Sequence, residues 1–284
     1  MANGVAELYG VSTKLEADWS SILSNHKCPF INGDCWKTRK SEPSISIGTC
    51  VLTYGKASET IIICPSRLID RYQIITDCIH LLTKHTPGNE LHLLSEVSIP
   101  GGSVDYVLVS ARNRVAKDFV GIELQTLDTT GSAWPARQEF LASKGIRVEP
   151  YEPKAFGMNW KHTAKTILVQ MHHKAETFAS LNRHLVLVIQ DPLLRYLKKE
   201  FKFDHFSEPP DITDTVHIHS YELLEHAEQM RMSVQLHYRI SSDVAGIAKS
   251  LGLRADSVVE EVMMLGILSN RLTNETVFSP ISHR

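Results

Sequence analysis

The spacing of apolar positions predicts two adjacent strands near the middle of the chain. In segments 104–109 and 119–125, apolar side chains recur at the short intervals that are typical of β-strands. The segment between them, 110–117, is polar and basic, which favours a loop. We therefore expect an antiparallel β-hairpin whose two strands are joined by that loop.

Three polar residues interrupt the apolar pattern of this hairpin. Asp105 lies inside the first strand, where a carboxylate is costly unless a partner compensates its charge. Glu123 and Gln125 are two positions apart on the second strand, so they share a face. Antiparallel pairing can bring Asp105 close to both, and a hard divalent cation would relieve the repulsion between the two carboxylates. The spacing alone leaves open an ordinary hairpin with scattered acidic residues.

The rest of the pattern alternates helices with strands. A fully apolar run at 184–190 is typical of a strand covered on both faces, whereas 216–219 alternates in the manner of an edge strand. His217 and His219 share a face there, without an evident third metal ligand. Helices are predicted at 15–23, 67–82, 159–181 and 191–199, a strand at 91–99 and a loop at 128–137.

Two short helices are predicted near the end of the chain, at 244–253 and 257–267, in an arrangement that resembles a helix-turn-helix. Glu260 and Glu261 make the second helix too acidic for the major groove of DNA, so packing or dimerisation is favoured. Together the elements predict an α/β fold in which long helices flank a mixed sheet. The predicted organisation is an N-terminal segment with the cysteines (1–66), a core (67–240) and a C-terminal helical segment (241–284).

The composition is that of a globular protein with a sizeable core. Hydrophobic residues make up 43% of the 284 residues, and no apolar run is long enough to cross a membrane. The first residues lack the basic and apolar regions of a signal peptide, so a cytoplasmic protein is expected. The net charge of −2 gives no general support for nucleic-acid binding, so any DNA-binding surface must be a local basic patch.

The five cysteines argue against a disulfide framework, because their number is odd and the expected compartment is reducing. Cys28, Cys35, Cys50 and Cys64 are separated by six, fourteen and thirteen residues, none of which is the short spacing of common zinc knuckles. They fall at predicted turns and strand ends, where four thiols can meet around one ion, although buried structural cysteines remain an equal alternative. Cys78 lies on the apolar stripe of a predicted helix and is expected in the core.

Two stretches resemble one family in the same order along the chain. The segment from Cys28 to Pro65, with Trp36 and a cluster of basic residues after its second cysteine, resembles the four-cysteine motif of NotI-type restriction endonucleases. The hairpin with Asp105 and Glu123 resembles the catalytic strands of that family, which belongs to the PD-(D/E)XK superfamily. The resemblance covers about residues 25–173, roughly half of the chain.

The resemblance implies a type II restriction endonuclease that hydrolyses double-stranded DNA at a specific, G·C-rich palindrome as a homodimer. Asp105 and Glu123 would hold the catalytic Mg²⁺. Gln125 occupies the position of the superfamily's lysine, as in some restriction endonucleases, and would orient water or phosphate, because an amide cannot act as a base. Glu96, on the predicted strand before the hairpin, matches the family's further acidic residue, with a solvent-facing glutamate as the alternative.

The resemblance also implies that Cys28, Cys35, Cys50 and Cys64 bind one structural iron beside the DNA; their spacing alone does not separate iron from zinc. The basic residues that follow the second cysteine would contact DNA, and Arg39 has the paired donors that suit a guanine edge. Two other functions stay open, a DNA-binding protein that does not cleave and a metal-stapled regulator. The expected DNA-contacting residues are Lys37, Arg39 and Lys40.

Overall fold

The computed structural model describes residues 3–31, 33–39, 42–225 and 231–252. The helices are α1 (Trp19–Asn25), α2 (Pro65–Leu68), α3 (Gln73–Thr76), α4 (Trp134–Ser143), α5 (Trp160–Ser180), α6 (Asp191–Glu200) and α7 (Val244–Ser250). The strands are β1 (Gly4–Leu8), β2 (Val11–Ser12), β3 (Lys27–Cys28), β4 (Gly33–Asp34), β5 (Thr38–Arg39), β6 (Glu42–Ser46), β7 (Thr49–Tyr54), β8 (Glu59–Ile62), β9 (Glu90–Ile99), β10 (Gly102–Arg112), β11 (Val115–Leu124), β12 (Thr129–Thr130), β13 (Gly157–Met158), β14 (His184–Gln190), β15 (Val216–Leu224) and β16 (Ser233–Ser242).

A six-stranded mixed sheet forms the centre of the protein, in the order β16-β15-β14-β11-β10-β9. Strands β9, β10 and β11 form an antiparallel meander, whereas β14 and β15 run parallel to β11. Each parallel step needs a crossover, which α4 and α5 supply between β11 and β14 and α6 supplies between β14 and β15. The predicted α/β fold with a mixed sheet and flanking helices is confirmed at this level.

The predicted hairpin is present, but its loop is much shorter than expected. Strands β10 and β11 continue almost to Asn113 and Arg114, which take the left-handed conformation of the turn. The segment 110–117 was predicted as a loop because its residues are polar. Two polar residues at this end of the hairpin are buried and have partners inside the protein. Ser110 accepts a hydrogen bond from Asn89 Nδ2 at 3.0 Å, and Asp118 forms an ion pair with Arg183 at 2.9 Å.

The strand predicted at 184–190 is confirmed, and every residue of β14 is buried. The prediction that 216–219 is an edge strand is wrong, because β16 pairs along the outer side of β15. The polar alternation there comes from His217 and His219, which are buried inside the sheet rather than facing solvent. Periodicity cannot separate a solvent-facing histidine from a buried one.

The single helix predicted at 67–82 is wrong. The segment consists of α2, α3 and two short 3₁₀ turns, and the chain takes left-handed φ angles at Arg71 and Tyr72. A buried ion cluster accompanies the break: Arg67 Nε lies 2.7 Å from Glu7 Oε1, and Arg67 Nη1 lies 3.2 Å from Asp70 Oδ2. The apolar spacing correctly identified buried positions. It could not predict the break in the helix, which coincides with the buried ion cluster.

The first part of the chain shares its core with the central sheet. Strands β2, β1, β7 and β8 form a four-stranded sheet, and its buried Leu8 and Leu52 belong to the same hydrophobic core as Val107 of β10 and Leu168 of α5. Gln190, at the end of β14, binds β8 directly: its amide donates to the Thr60 carbonyl oxygen and accepts from Ile62 N, both at 2.8 Å. The cysteine-bearing segment is thereby fixed against the strands that carry the acidic residues.

The long helix predicted at 159–181 is confirmed as α5, and the helix predicted at 191–199 as α6. The loop predicted at 128–137 ends earlier, because α4 begins at Trp134 with Pro135 in its first turn. Helix α7 matches the first of the two C-terminal helices; the second, at 257–267, lies outside the described residues. No helix in the described part of the chain is long and apolar enough to cross a membrane.

Candidate active site and metal centre

Asp105 and Glu123 lie next to each other at the open end of the hairpin. The last paired residues there are Tyr106 and Ile122, so the next position on each strand holds one of the two acidic residues. Asp105 Oδ2 accepts a hydrogen bond from the backbone N–H of Leu124 at 2.8 Å, which fixes it against β11. Strand register therefore brings together the two carboxyl groups that the sequence pattern singled out.

Both carboxyl groups are held in surroundings that disfavour their ionised forms. Burial raises the pKa of Glu123 to about 7, with a further increase from the charge of Asp105, while Lys174 opposes the shift. Burial also raises the pKa of Asp105; the Leu124 N–H and Lys174 oppose this, and the charge of Glu96 adds to it. The repulsion between two adjacent carboxylates can be relieved by a proton, by the Lys174 ammonium or by a bound cation.

Lys174 on α5 belongs to this site, although the sequence analysis did not single it out. Its Nζ lies 2.7 Å from Glu123 Oε1, and the residue is only 7% exposed. A signal was present in the sequence, because Lys174 falls three residues after Met171 and four before Phe178, within the apolar stripe of the helix. A lysine on the buried stripe of a helix needs a partner inside the protein, because an unpaired buried charge is costly.

Gln125 follows directly after β11 and is half-buried. Its backbone N–H donates to the Val188 carbonyl oxygen at 3.0 Å, and its side-chain amide donates to the Thr126 carbonyl oxygen at 2.6 Å. The first bond fixes the end of β11 against β14. The side chain carries no charge, so it brings neither a base nor a cation to the carboxyl pair.

Glu96 lies on β9 between two positions that pair with β10, opposite Asp105. Its φ angle of 52° is left-handed, which is costly for a residue with a side chain and interrupts the regular strand there. Glu96 is exposed, and its charge reaches Asp105 strongly enough to raise the pKa of that carboxyl group. The structure thus places Glu96 near the pair, and its role as a third acidic residue stays a prediction.

The four predicted metal-binding cysteines line one small cavity, together with Tyr9 and Lys37. Burial raises the pKa values of the Cys50 and Cys64 thiols; the charge of Glu7 adds to the shift for Cys50, whereas the charge of Lys37 opposes the shift for Cys64. Thiols bind metals as thiolates, so a bound cation would have to offset this cost. The four thiols line the same cavity, but no three of their sulfur atoms lie within 4.8 Å of one another, so a shared ion stays a prediction. The residues are Cys28, Cys35, Cys50 and Cys64.

The fifth cysteine, Cys78, does not line that cavity. It is fully buried, as the sequence predicted, and its thiol donates to the Ile74 carbonyl oxygen at 3.1 Å. Its sulfur also lies 3.9 Å from Nδ1 of the buried His219. Cys78 is a core residue in this structure.

A second group of possible metal ligands escaped the sequence pattern. Among the described residues, Asp191, Glu222 and His237 form a set of three donors whose ligand atoms all lie within 4.8 Å of one another. Asp191 contacts His237 Nδ1 and also accepts a hydrogen bond from the Ser220 hydroxyl. The group could hold a cation, but the contact between His237 and Asp191 also explains the proximity of those two side chains. The ligands come from α6, β15 and β16, so no local spacing could reveal them.

A large cleft lies between the segment that follows Cys35 and the chain that follows β11. It has a volume of about 1110 Å³ and is lined by the segment around Lys37 and Arg39, by residues that begin two positions after Gln125, and by Trp134 and Tyr151. Its lining holds two basic residues, Lys37 and Arg39, two acidic residues, Asp128 and Glu152, and the aromatic rings of Trp36, Trp134 and Tyr151. Asp105, Glu123 and the cysteines do not line it.

The predicted DNA-contacting residues line this cleft where they are described. Arg39 packs over the Trp134 ring, 4.8 Å from its centroid, and its Nη1 forms a 3.0 Å ion pair with Glu149. Lys37 Nζ donates to the Ile63 carbonyl oxygen at 3.0 Å, beside Cys64. Lys40 lies outside the described residues.

No protein-family model matches the chain, and a search of curated protein sequences found no match.

Proposed function

We propose that the chain is a metal-dependent endonuclease that hydrolyses phosphodiester bonds in double-stranded DNA, of the type II restriction class that its motifs resemble. The observation that carries the proposal is the carboxyl pair. Asp105 and Glu123 lie on the neighbouring strands β10 and β11, each one position beyond the last registered pair, with raised pKa values. Burying Glu123 beside a second, half-buried acidic group is costly for stability, and a bound divalent cation would offset that cost.

Asp105 and Glu123 would hold Mg²⁺, and the ion when bound supplies charge to polarise the phosphate and to lower the pKa of water. The protein holds Asp105 in place through the Leu124 N–H and holds Glu123 through burial against α5. Gln125, fixed beside β14, would orient water or the phosphate by hydrogen bonding without exchanging a proton. Glu96 would add negative charge on the far side of Asp105.

We also propose that the sheet is of the PD-(D/E)XK type. What supports this is the antiparallel meander β9-β10-β11, which carries the acidic residues, followed by a crossover helix and the parallel strand β14. The DNA would lie along the cleft, with Lys37 and Arg39 contacting it. Arg39 would exchange its partly exposed ion pair with Glu149 for DNA, and exposed pairs of this kind contribute little to stability.

The cysteine cluster would hold one structural iron, or zinc, and would keep the basic segment in position beside the DNA. A four-thiolate ion has no open coordination position, so it would take no part in the reaction. A palindromic site is read by two protomers related by a twofold axis, so a homodimer in the cytoplasm is proposed.

The direct test is cleavage of supercoiled plasmid DNA by the purified protein with Mg²⁺, with Ca²⁺ and with EDTA. Nicked or linear products that form with Mg²⁺ alone support the proposal. The Asp105→Asn variant is the matched control for contaminating nucleases, because asparagine keeps the acceptor for the Leu124 N–H but removes the charge. Equal cleavage by both proteins would overturn the assignment.

A second function is favoured by one observation. The Lys174 ammonium lies 2.7 Å from Glu123 Oε1 and compensates its charge, which would suit a DNA-binding protein that does not cleave. Such a protein would bind duplex DNA equally well in Mg²⁺ and in EDTA and leave plasmid DNA intact.

A further inference from the structure

The proposed site contains two carboxyl groups and an amide on its strands, but no cationic side chain from those strands. Hydrolysis of a phosphodiester places additional negative charge on the phosphate, which a nearby ammonium or guanidinium group stabilises. The cation nearest to Glu123 comes from elsewhere, since Lys174 on α5 lies 2.7 Å from it. We infer that Lys174 is the catalytic lysine of this site, supplied by the helix in place of the neutral Gln125; this rests on the proposed nuclease function.

The surroundings of Lys174 differ from those of an ordinary lysine on the same helix. Lys161 and Lys165 are exposed, whereas Lys174 is buried between Met171 and Phe178. Replacing a buried ion pair by apolar side chains of similar volume is often neutral or stabilising, so packing does not require a lysine here. Its charge must serve the carboxyl pair.

The turn between β9 and β10 is shaped to admit this lysine. Gly101 has a φ of 92°, and a Cβ there would lie 2.6 Å from the carbonyl oxygen of His173. A Cβ on Gly102 would lie 3.3 Å from Lys174 Cε, so the lysine side chain runs close over that glycine. The absence of both side chains lets the helical turn that carries Lys174 approach the start of β10, two to three residues before Asp105.

One further contact holds the helix at this point. The Thr177 hydroxyl, one turn after Lys174, donates to the Pro100 carbonyl oxygen at 2.7 Å. The lysine is therefore positioned by its own burial, by the glycine turn and by this hydrogen bond. A group needed for catalysis benefits from being fixed in place before the substrate binds.

The inference predicts that metal binding and cleavage change in opposite directions when the charge is removed. In Lys174→Met the two carboxylates lose their internal cation, so Ca²⁺ should stabilise the protein at an approximately tenfold lower concentration. Cleavage with Mg²⁺ should fall about a hundredfold, the usual loss when one charge-stabilising donor is removed. Lys165→Met, on the exposed face of the same helix, should leave both properties unchanged.

A rescue variant separates a catalytic role from a structural one. Gln125→Lys introduces an ammonium on the strand, so the double variant with Lys174→Met should recover at least about tenfold of the lost cleavage rate. A lysine needed only for folding would not be replaced in this way. The measurements are thermal unfolding across a Ca²⁺ series and single-turnover cleavage of plasmid DNA by the full chain.

The outcomes are distinct. Tighter Ca²⁺ binding, lost cleavage and rescue by Gln125→Lys support the inference. Cleavage by Lys174→Met at the wild-type rate overturns it and leaves the proposed function standing, and joint loss of stability, Ca²⁺ binding and cleavage shows a structural lysine instead. If the wild-type protein cuts no DNA, the proposed function fails and the catalytic role fails with it, whatever the Ca²⁺ series shows.

Discussion

The carboxyl pair and the cysteine cluster reach their positions by different means. Asp105 and Glu123 are placed by long, regularly paired strands, so their proximity follows from register alone. Cys28 and Cys35 come from the segment of β3 and β4, which have only two residues each, whereas Cys50 lies within β7 and Cys64 caps α2. Regular pairing can hold a site together before any ion binds. Turns of this length have little hydrogen bonding of their own and depend on what they bind.

The two regions also differ in whether a positive charge from the protein compensates their acidic groups. The carboxyl pair already has an internal cation in Lys174, while burial leaves the Cys50 and Cys64 thiols with raised pKa values. We therefore expect the carboxyl site to keep its shape without a divalent cation. The cysteine region should depend on its ion for structure.

The largest expected effect is on cleavage. Asp105→Asn or Glu123→Gln should reduce the single-turnover cleavage rate with Mg²⁺ by more than about a thousandfold, because each removes one charge that holds the ion. Asp105→Asn should keep its melting temperature, since the Leu124 N–H keeps its acceptor and a buried charge disappears. A large loss of stability in Asp105→Asn would show that the pair is structural, and contradict the first half of the comparison.

The next effect is on metal content and stability of the cysteine region. Cys50→Ser or Cys64→Ser should lose one bound iron or zinc per chain and several kcal/mol of unfolding free energy, roughly the contribution of a structural ion within a larger fold. Cys78→Ser, in the core but away from the cavity, should keep the metal and lose about 1 kcal/mol. Elemental analysis of the purified proteins decides the point: no stoichiometric metal in the wild type would mean that the thiols are only core residues.

A third expected effect is that the carboxyl pair and the buried histidines change the stability of the protein with pH in opposite directions. Burial lowers the pKa of His217 to about 4, and the neighbouring His184, His80 and Arg239 add to the shift while the Asp214 carbonyl oxygen opposes it. The unfolded chain takes up this proton near the ordinary value of 6.5, so His217 costs stability as the pH falls from about 6.5 towards 4. Glu123 has the opposite sign: its folded pKa is raised from 4.5 to about 7, so stability is lost as the pH rises through that range.

Relative to His217→Gln, the wild-type protein should therefore lose about 2 kcal/mol of unfolding free energy between pH 7.5 and pH 5.0, a change that urea unfolding can measure. His92→Gln is the matched control, because His92 is exposed. A flat difference between wild type and His217→Gln over this range would show that His217 is not buried in its neutral form.

The smallest effect concerns the cleft. Arg39→Ala should weaken binding of a duplex that contains the recognition site about tenfold in Ca²⁺, since one base or phosphate contact contributes about 1–3 kcal/mol. The melting temperature should hardly change, because the ion pairs of Arg39 with Glu149 and Glu42 are partly exposed. Lys56→Ala, on an exposed turn, serves as the control in fluorescence anisotropy, and equal affinity of all three proteins would remove Arg39 from the interface.

The sequence pattern predicted what depends on neighbours along the chain. Period-two alternation located β10 and β11, and with them the meeting of Asp105 and Glu123, because strand register converts spacing into proximity. Helix α5 and the buried strand β14 were also predicted from the spacing of their apolar residues. The resemblance to known motifs directed attention to the four cysteines, which all line one cavity.

What the pattern missed depends on contacts between distant segments. Lys174 was not predicted as a site residue, because its partner Glu123 lies 51 positions earlier in the chain. The helix predicted at 67–82 failed in a similar way, since Arg67 pairs with Glu7 from the first strand. A charged residue on the apolar stripe of a helix indicates that it has a partner inside the protein, but it does not identify that partner.

We propose above that Asp105 and Glu123 form a magnesium-dependent site that cuts duplex DNA at a defined sequence. The most direct test is to sequence the ends of fragments produced from DNA of varied sequence by the wild-type protein and by Asp105→Asn. The account predicts that wild-type ends cluster at one palindromic sequence, with a fixed stagger between strands, only when Mg²⁺ is present, and that Asp105→Asn produces none. Ends that do not depend on Mg²⁺, or that Asp105→Asn produces equally, would contradict it.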